Sequence, residues 1–510
     1  MSDILEAYAD KINGHFTFFD RMIIAGNLLY FINDLRVNNL YTLGIPLKDF
    51  KEQTMAVTSQ IDHAITSWAK NANREIRWLP SSDCCKEDIA REVMQRDQIE
   101  EGLICILKVN ETCISAKVYG SDEGRLILKT HNTKCHHYYC YMQDRQYGFM
   151  FVKIQSWFPY TITVYMNGRE LMKNTFAKNG IHSEMYDNSF SYLSDIEKAQ
   201  KLADNFDSKK LERVLAHFAH IVNPWVQKYE EAFECGYYWT VKQCEIATDI
   251  MFKRREALED IYPSLVDHAF HDLRCTDIFS FMGRKLVPQF LGEAVSDYKK
   301  RPVGWRVKFK LTPNHIKMYD KANCLRIETT INDPKEFKVF KEVHHKDGTT
   351  DKQWVPMSKG ISNLYRYLSI GQACNFRFAH SLENIVPVKS TQAEIERICT
   401  RTEDDGQVFT GLNVWNPTIY RAFCIIADGS FILSGITNVS IRDKLFPELN
   451  EKQRARKTSR FLRKLRAHHI LKKVRKSRKY YLTDKGRRII SALILTHERT
   501  FPEAMGDICA

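Results

Sequence analysis

The sequence predicts an α+β fold, and three observations predict it. Alternating stretches such as HIKMYDK (315–321) and CLRIETTI (324–331) have the two-residue period of strands. Amphipathic helical segments such as DIEKAQKLADNF (195–206) and KKLERVLAHFAHIV (209–222) lie between such stretches. The positive charge is confined to one place. The formal net charge is +13, yet residues 451–490 hold seventeen Lys or Arg against Glu451 and Asp484, a balance of +15 that leaves about −2 for the rest. A near-neutral body with one concentrated basic module is built to meet a polyanion.

Four segments follow in order: an N-terminal α+β domain (1–148), an antiparallel-rich α+β core (149–345), a loop, helical connector and linker (346–407), and a basic C-terminal domain (408–510). In the first, HFTFFDRMIIAGNLLYFINDLRV (15–37) begins as a strand and turns helical. GLICILKVNETCISAKVY and RLILKTHNTKCHHYYCYMQD alternate like hairpin strands. Cys135, His136, His137 and Cys140 are close enough in sequence to raise zinc. A strand sends them to opposite faces, and structural zinc takes two separated pairs, so fortuitous clustering is the better reading. Tyr138, Tyr139, Tyr141, Trp157 and Phe158 have the chemistry to stack on unpaired bases, although core packing is the usual fate of aromatics. Trp157 and Phe158 precede Pro159, so one of them is a candidate for exposure.

In the core, FMFVKIQSWFPYTITVYMNG (149–168) reads as strand broken at Pro159. GRELMKNTFAKNG is a helix stopped by Gly180. YYWTVKQCEIATDIMF (237–252) is a strand with Glu245, Ala247 and Asp249 on one face. EALEDIYPSLVDHAFHDL is helical, and DIFSFMGRK, VGWRVKFKL, HIKMYDK and CLRIETTI read as strands. KEVHHKDGTTDKQWVPMSKG (341–360) reads as a polar loop, the segment after it as a long helix, and TRTEDDGQ (400–407) as a linker.

At the C-terminus, NPTIYRAFCIIADG is a helix ending at Gly429. Thr437 or Ser440 caps the next, and Asn450 with Gln453 has capping-box spacing for a third. That third helix buries Phe461, Leu462 and Leu465. It turns Arg456, Lys457, Arg460, Arg463 and Lys464 elsewhere. HILKKVRKSRKYYLTD then makes a hairpin whose tip carries Arg475, Lys476, Arg478 and Lys479, and GRRIISALILTHERT closes the unit. This order resembles the winged helix-turn-helix family over most of 416–497. The resemblance implies a helix in the major groove of DNA, with the hairpin on backbone or minor groove. A solvated basic face on a protein-interaction module is the alternative.

Three separated pieces of the core also go together: QCEIATDIMF; FMGRK followed by SDYKKRP; and IKMYDK leading by a tight link into LRIETT. Their order resembles the trans-acting plasmid and phage initiators of rolling-circle replication, over about residues 237–333. The whole chain is similar to a widespread family of uncharacterised bacterial, mobile-element-associated proteins. The resemblance implies a DNA strand nickase or transesterase. Such chemistry needs a hydroxyl nucleophile, a divalent ion and cations for the phosphate. Glu245, Asp249 and Glu328 are the candidate ligands for Mg²⁺ or Mn²⁺. Tyr319 or Tyr298 is the candidate nucleophile, and Lys317, Lys321 and Arg326 the candidate phosphate neutralisers. Tyr319 falls on the same strand face as Lys317 and Lys321. Many nickases of the broader class carry His-apolar-His, which is absent here; HAFH (268–271) has helical spacing. Two alternatives stay open: a DNA- or RNA-binding regulator or ribonucleoprotein component without catalysis, and a metal-dependent nuclease that uses water.

No P-loop or dinucleotide fingerprint is visible. No apolar run of membrane-spanning length and no signal-peptide pattern appear, so a cytoplasmic protein with reduced thiols is expected, with DNA as the first partner and structured RNA as the second.

Overall fold

The computed structural model describes residues 8–32, 37–80, 84–120, 124–271, 273–284, 294–301, 304–345, 349–382, 388–404, 406–427, 431, 435–474, 477–495 and 497. It is a mixed α+β structure. The chain divides into two compact units, Met1–Tyr262 with Cys275–Glu383, and Pro263–Arg274 with Asn384–Ala510.

Thirteen strands open the first unit: β1 (Ile12–Asn27), β2 (Ile76–Leu79), β3 (Gly102–Gly120), β4 (Leu126–Asp144), β5 (Gly148–Gln155), β6 (Ile162–Asn167), β7 (Ser183–Tyr186), β8 (Ser189–Leu193), β9 (Tyr238–Phe252), β10 (Ala294–Arg301), β11 (Gly304–Leu311), β12 (Asn314–Lys321) and β13 (Cys324–Ile331). Eleven of them form one sheet in the order β10-β11-β12-β13-β9-β1-β6-β5-β4-β3-β2. Neighbours are antiparallel except β2 and β3. The boundary expected at 148/149 is therefore corrected. β1 lies between β6 and β9, so the N-terminal segment supplies a central strand of the core.

β1 runs to Asn27 and the helix Leu29–Ile32 follows it, so the expected change from strand to helix falls near Leu28. The burial of β1 runs on both faces. A strand covered on both sides reads as a continuous apolar run, which periodicity cannot tell from a buried helix. DIFSFMGRK, expected as a strand, is corrected. Cys275–Phe281 is a helix that buries Ile278, Phe279 and Phe281. The loop expected at 341–360 contains a hairpin, β14 (Lys338–His344) with β15 (Thr350–Pro356). Both its strands are polar, which hides the alternation.

Each face of the central strands has its own cover. On one, the helix Leu364–Ser381 crosses β9 and β13. Gly371 is required there, because a Cβ would lie 2.6 Å from Ile246 Cβ. Asn375 Nδ2 donates to Ile246 O (3.1 Å) and to Thr248 Oγ1 (3.0 Å), and its Oδ1 accepts from Thr329 (2.6 Å). On the other face, the helix Gly168–Lys178 and the β7–β8 hairpin press Phe176 and Phe190 onto Phe16 and Phe18. That helix starts hard against β1. A Cβ on Gly168 would fall 1.9 Å from Phe19 O.

The second unit holds the helices Val388–Cys399, Pro417–Ile426, Asn438–Leu445, Glu451–Ala467 and Asp484–Leu495. It also holds two hairpins, β16 (Thr402–Asp404) with β17 (Gln407–Phe409), and β18 (Leu471–Lys473) with β19 (Tyr480–Leu482). Phe423, Ile441, Leu445, Leu462, Leu465, Ile470, Ile489 and Ile490 form its core. The stretch expected as a linker lies inside this unit, where Asp404 accepts from Arg466 Nη2 at 2.6 Å.

Candidate functional site

The face of the central strands that bears Phe16 and Phe18 also carries an ionic network. The register dictates which groups meet. Opposite Asp249 stands Arg326, opposite Ala247 stands Glu328, and Lys317 of β12 pairs with Glu328 in turn. On β1 a bulge falls between Phe19 and Arg21, so Asp20 is the extra residue and Arg21 is set opposite Glu245. A bulge re-aims the side chain it carries.

Arg326 is the hub. It is wholly buried and reaches Asp20 Oδ2 at 2.8 Å, Asp249 Oδ1 at 3.0 Å and Asn188 O at 2.6 Å, with Glu328 Oε2 at 3.7 Å. Lys317 Nζ donates to Glu328 Oε1 at 2.6 Å and lies 3.5 Å from Glu245 Oε1. Arg21 Nε donates to Glu245 Oε2 at 2.5 Å, and Arg169 Nε lies 3.0 Å from Asp20 Oδ1. Asp20 also sits beside the first turn of the helix Gly168–Lys178, the end that favours an anion. Four carboxylates (Asp20, Glu245, Asp249, Glu328) thus face four cations (Arg21, Arg169, Lys317, Arg326).

The carboxyls respond differently to this setting. Burial pushes Asp249 up to about 6, against Arg326 and the Phe190 N–H that donates to it at 2.8 Å. Burial and then the Glu328 charge raise Glu245, against Lys317 and Arg21. Burial alone would raise Glu328 too, but Lys317 and Arg326 hold it down at about 2. Burial would lower Lys317, and Glu328 and Glu245 more than reverse it.

Among the described residues, Asp20, Glu245 and Glu328 bring carboxylate oxygens within 4.8 Å of one another. This corrects the expected trio of Glu245, Asp249 and Glu328. Asp249 is occupied by Arg326 and the Phe190 amide, and Asp20 takes its place. Asp20 was missed. Its signal was an Asp-Arg pair inside the apolar run FTFFDRMII, a costly place for charge unless it is paired. Arg326 is also corrected as a phosphate neutraliser. It is sealed from solvent, with three carboxylates and the Asn188 carbonyl around it. Lys321 is buried and paired with Asp187. Lys317 bridges two acids, so phosphate would have to compete with Glu328 for it.

Tyr319 stands opposite Arg306 on one side and Arg326 on the other, in the row that flanks Lys317 and Glu328, and is 9% exposed. Lys321 Nζ lies 5.5 Å from its ring centre. Tyr298 sits opposite Val307 in the register, in the alternate row with Met318 and Ile327. Its register position is thus one row away from that of Tyr319. The Cys-His cluster is divided by the strand as expected. Cys135 and His137 share one row, and His136 and Cys140 the other. His268 and His271 fall on the helix Tyr262–His271.

In the second unit, the helix Glu451–Ala467 begins with the expected capping box. Asn450 Oδ1 accepts from Gln453 N, and the Gln453 side chain accepts in return from Asn450 N. Thr437 caps the preceding helix. Arg456, Arg460 and Arg463 recur at helical spacing, are exposed, and have no acidic partner among the described residues. Lys457 is exposed with Nζ 4.4 Å from the Phe446 ring centre. Lys464, expected as a nucleic-acid contact, is tied to Thr410 Oγ1 and Gly411 O at 3.0 Å each. Arg478 and Lys479 are exposed beside the turn of the β18–β19 hairpin. Arg475 and Lys476 lie outside the described residues. Ile436 bridges to Tyr480, which anchors the hairpin to the segment entering the helix Asn438–Leu445.

Compared with family models, curated proteins and solved structures, the chain finds no match. No helix among the described residues is long and apolar enough to cross a membrane.

Proposed function

We propose that the chain is a nucleic-acid-binding protein whose C-terminal unit acts as a winged helix-turn-helix and holds duplex DNA with the helix Glu451–Ala467. The carrying observation is the stripe of Arg456, Arg460 and Arg463. Three exposed guanidiniums on one helix face, without acids among the described residues to neutralise them, favour phosphate and guanine edges. Arg478 and Lys479 extend the basic surface to the hairpin. The test is fluorescence anisotropy of a labelled 30-base-pair duplex with the full chain and with R456A/R460A/R463A. The variant is expected to bind at least tenfold more weakly and with a shallower salt dependence. Equal affinity at every salt concentration would overturn the reading. A structured RNA hairpin in place of the duplex decides between the two nucleic acids.

A second reading is strand cleavage in the manner of a plasmid replication initiator. The cluster of Asp20, Glu245 and Glu328, with Tyr319 in the neighbouring row, favours it. Three carboxylates are the donor set of a hard ion such as Mg²⁺ or Mn²⁺, and both Asp20 oxygens lack an aligned hydrogen bond. These residues would hold the ion, which would supply Lewis-acid polarisation of a phosphodiester. Lys317 already occupies the space between Glu245 and Glu328 and would have to yield. A protein–DNA adduct formed on supercoiled DNA with Mn²⁺, and lost in Tyr319→Phe, supports this reading. Cleavage without adduct, lost in Glu328→Gln, selects water as nucleophile. No cleavage leaves the binding role alone.

A further inference from the structure

We propose that a cleft at the root of the β3–β4 ribbon binds an unpaired stretch of nucleic acid. β3 and β4 are nineteen residues each and outrun their neighbours. β2 pairs only as far as Val109 and β5 only as far as His137. Beyond those points, Glu111–Gly120 and Leu126–Cys135 have only each other as strand partners among the described residues.

Where the ribbon leaves the sheet there is a cleft of about 720 Å³. Lys51, Lys117, His131, Lys134, His136 and Trp157 contribute to its walls, and among the described residues no carboxylate lines it. A concave surface with cations and no acid selects an anion. Trp157 gives the anion a second property. It is half-buried while Phe158 is fully buried, so an aromatic face remains at the cleft. Its backbone is fixed from two sides. The Gln155 amide donates to Trp157 O and Phe158 O at 3.0 Å each, and Thr58 donates to Ser156 O at 2.7 Å. A fixed ring beside lysines suits a base stacked next to its own phosphate. A paired base has no free face to offer it.

The ribbon extends the basic surface beyond the cleft, as a polymeric ligand would use it. Lys117 stands directly opposite Lys129 in the register, and both are exposed. Like charges in directly opposed positions destabilise a strand pair. Lys117 stands in the cleft wall and Lys129 outside it, and a phosphate backbone running from the cleft onto the ribbon meets both and relieves that repulsion. The proposal shares with the reading above only the premise that the chain meets nucleic acid, and it uses none of the same residues.

The test measures anisotropy of a labelled 20-nucleotide polythymidine, and of a duplex of equal length. The proteins are the full chain, Trp157→Ala, the surface variant K117E/K129E, and R456A/R460A/R463A. Both cleft variants are expected to lose about tenfold or more in single-strand affinity and to keep duplex affinity. R456A/R460A/R463A is expected to do the reverse. A polythymidine carrying 5-iodouracil should crosslink to Trp157 on irradiation. Single-strand binding that is absent from the full chain, or unchanged in K117E/K129E and Trp157→Ala, overturns the proposal. Loss of duplex binding in those variants does so too, since it makes the cleft part of a common surface. Failure of the C-terminal reading shows separately, as duplex affinity unmoved by R456A/R460A/R463A.

Discussion

Arg326 Nη2 lies 2.8 Å from Asp20 Oδ2 with both side chains shut off from solvent, although β9 runs between their strands. The crossing is possible because β9 presents Ala247 between Glu245 and Asp249 on that face. A small side chain leaves the guanidinium room to reach β1, where its Cζ lies 5.5 Å from the Phe18 ring centre. Burying such a pair costs solvation that attraction repays only with good geometry. What the network supplies is specificity. A one-residue slip of β13 on β9 would replace Arg326 by an apolar neighbour opposite Asp249 and leave a carboxylate uncompensated.

Removing the hub alone should therefore be severe. Arg326→Met leaves Asp20 and Asp249 buried without their main cation, and a broken buried pair costs about 3–5 kcal/mol. The triple change Arg326→Met, Asp20→Asn, Asp249→Asn removes both the cation and the charges it balances. It should recover a large part of that loss in urea unfolding of the full chain. A triple variant no more stable than the single one would show that geometry, not charge balance, makes the site.

The pH dependence separates two members of the network. Asp249 is raised when folded, from an ordinary 3.8 to about 6. Its contribution to stability is full below pH 3.8 and is lost as pH rises through 6. Glu328 is depressed, from 4.5 to about 2, so its contribution is present above pH 4.5 and is lost as pH falls through 2. Asp249→Asn should flatten the decline of stability between pH 4 and 6. Glu245 is raised and Asp320 is raised to about 6, each chiefly by burial, so part of the slope should remain. Denaturant midpoints at half-unit pH steps measure it.

The sequence made the outer strands of this site legible and hid its middle. IKMYDK and LRIETT alternate because each has one face on the network, and their hairpin and its row of Lys317, Tyr319 and Lys321 follow from period two. QCEIATDIMF showed Glu245, Ala247 and Asp249 for the same reason. β1 was opaque. It is covered on both sides, so it has no alternation, and the bulge at Asp20 breaks the count that would align its charges with β9. Arg169 was invisible for another reason. It lies on a helix, and only the close approach at Gly168 brings it to Asp20. Charge density and cap residues exposed the basic helix, but spacing could not reveal that Lys464 is turned back onto Thr410 and Gly411.

The capping box at the start of that helix is a separable prediction. Asn450→Ala removes the acceptor for Gln453 N and should destabilise the second unit by about 1 kcal/mol. Hydrogen exchange should quicken at the amides of Lys452, Gln453 and Arg454 while the sheet of the first unit stays unchanged. Quickened exchange in β9 or β13 would contradict a local role for the cap.

Ala247 gives the sharpest test of the crossing itself. Ala247→Leu changes no charge and breaks no named ion pair directly. It places a branched side chain on the path from Arg326 to Asp20, among groups that need polar partners. Overpacking in a filled core costs about 1–3 kcal/mol, and a parted ion pair would add to that. The added part is measurable, because it should vanish when Asp20 is already Asn. A double-mutant cycle of Ala247→Leu with Asp20→Asn should thus show a coupling of at least about 0.5 kcal/mol. Additive effects would mean that Arg326 reaches Asp20 by a route that does not pass over Ala247, and that the small residue between the two acids serves packing alone.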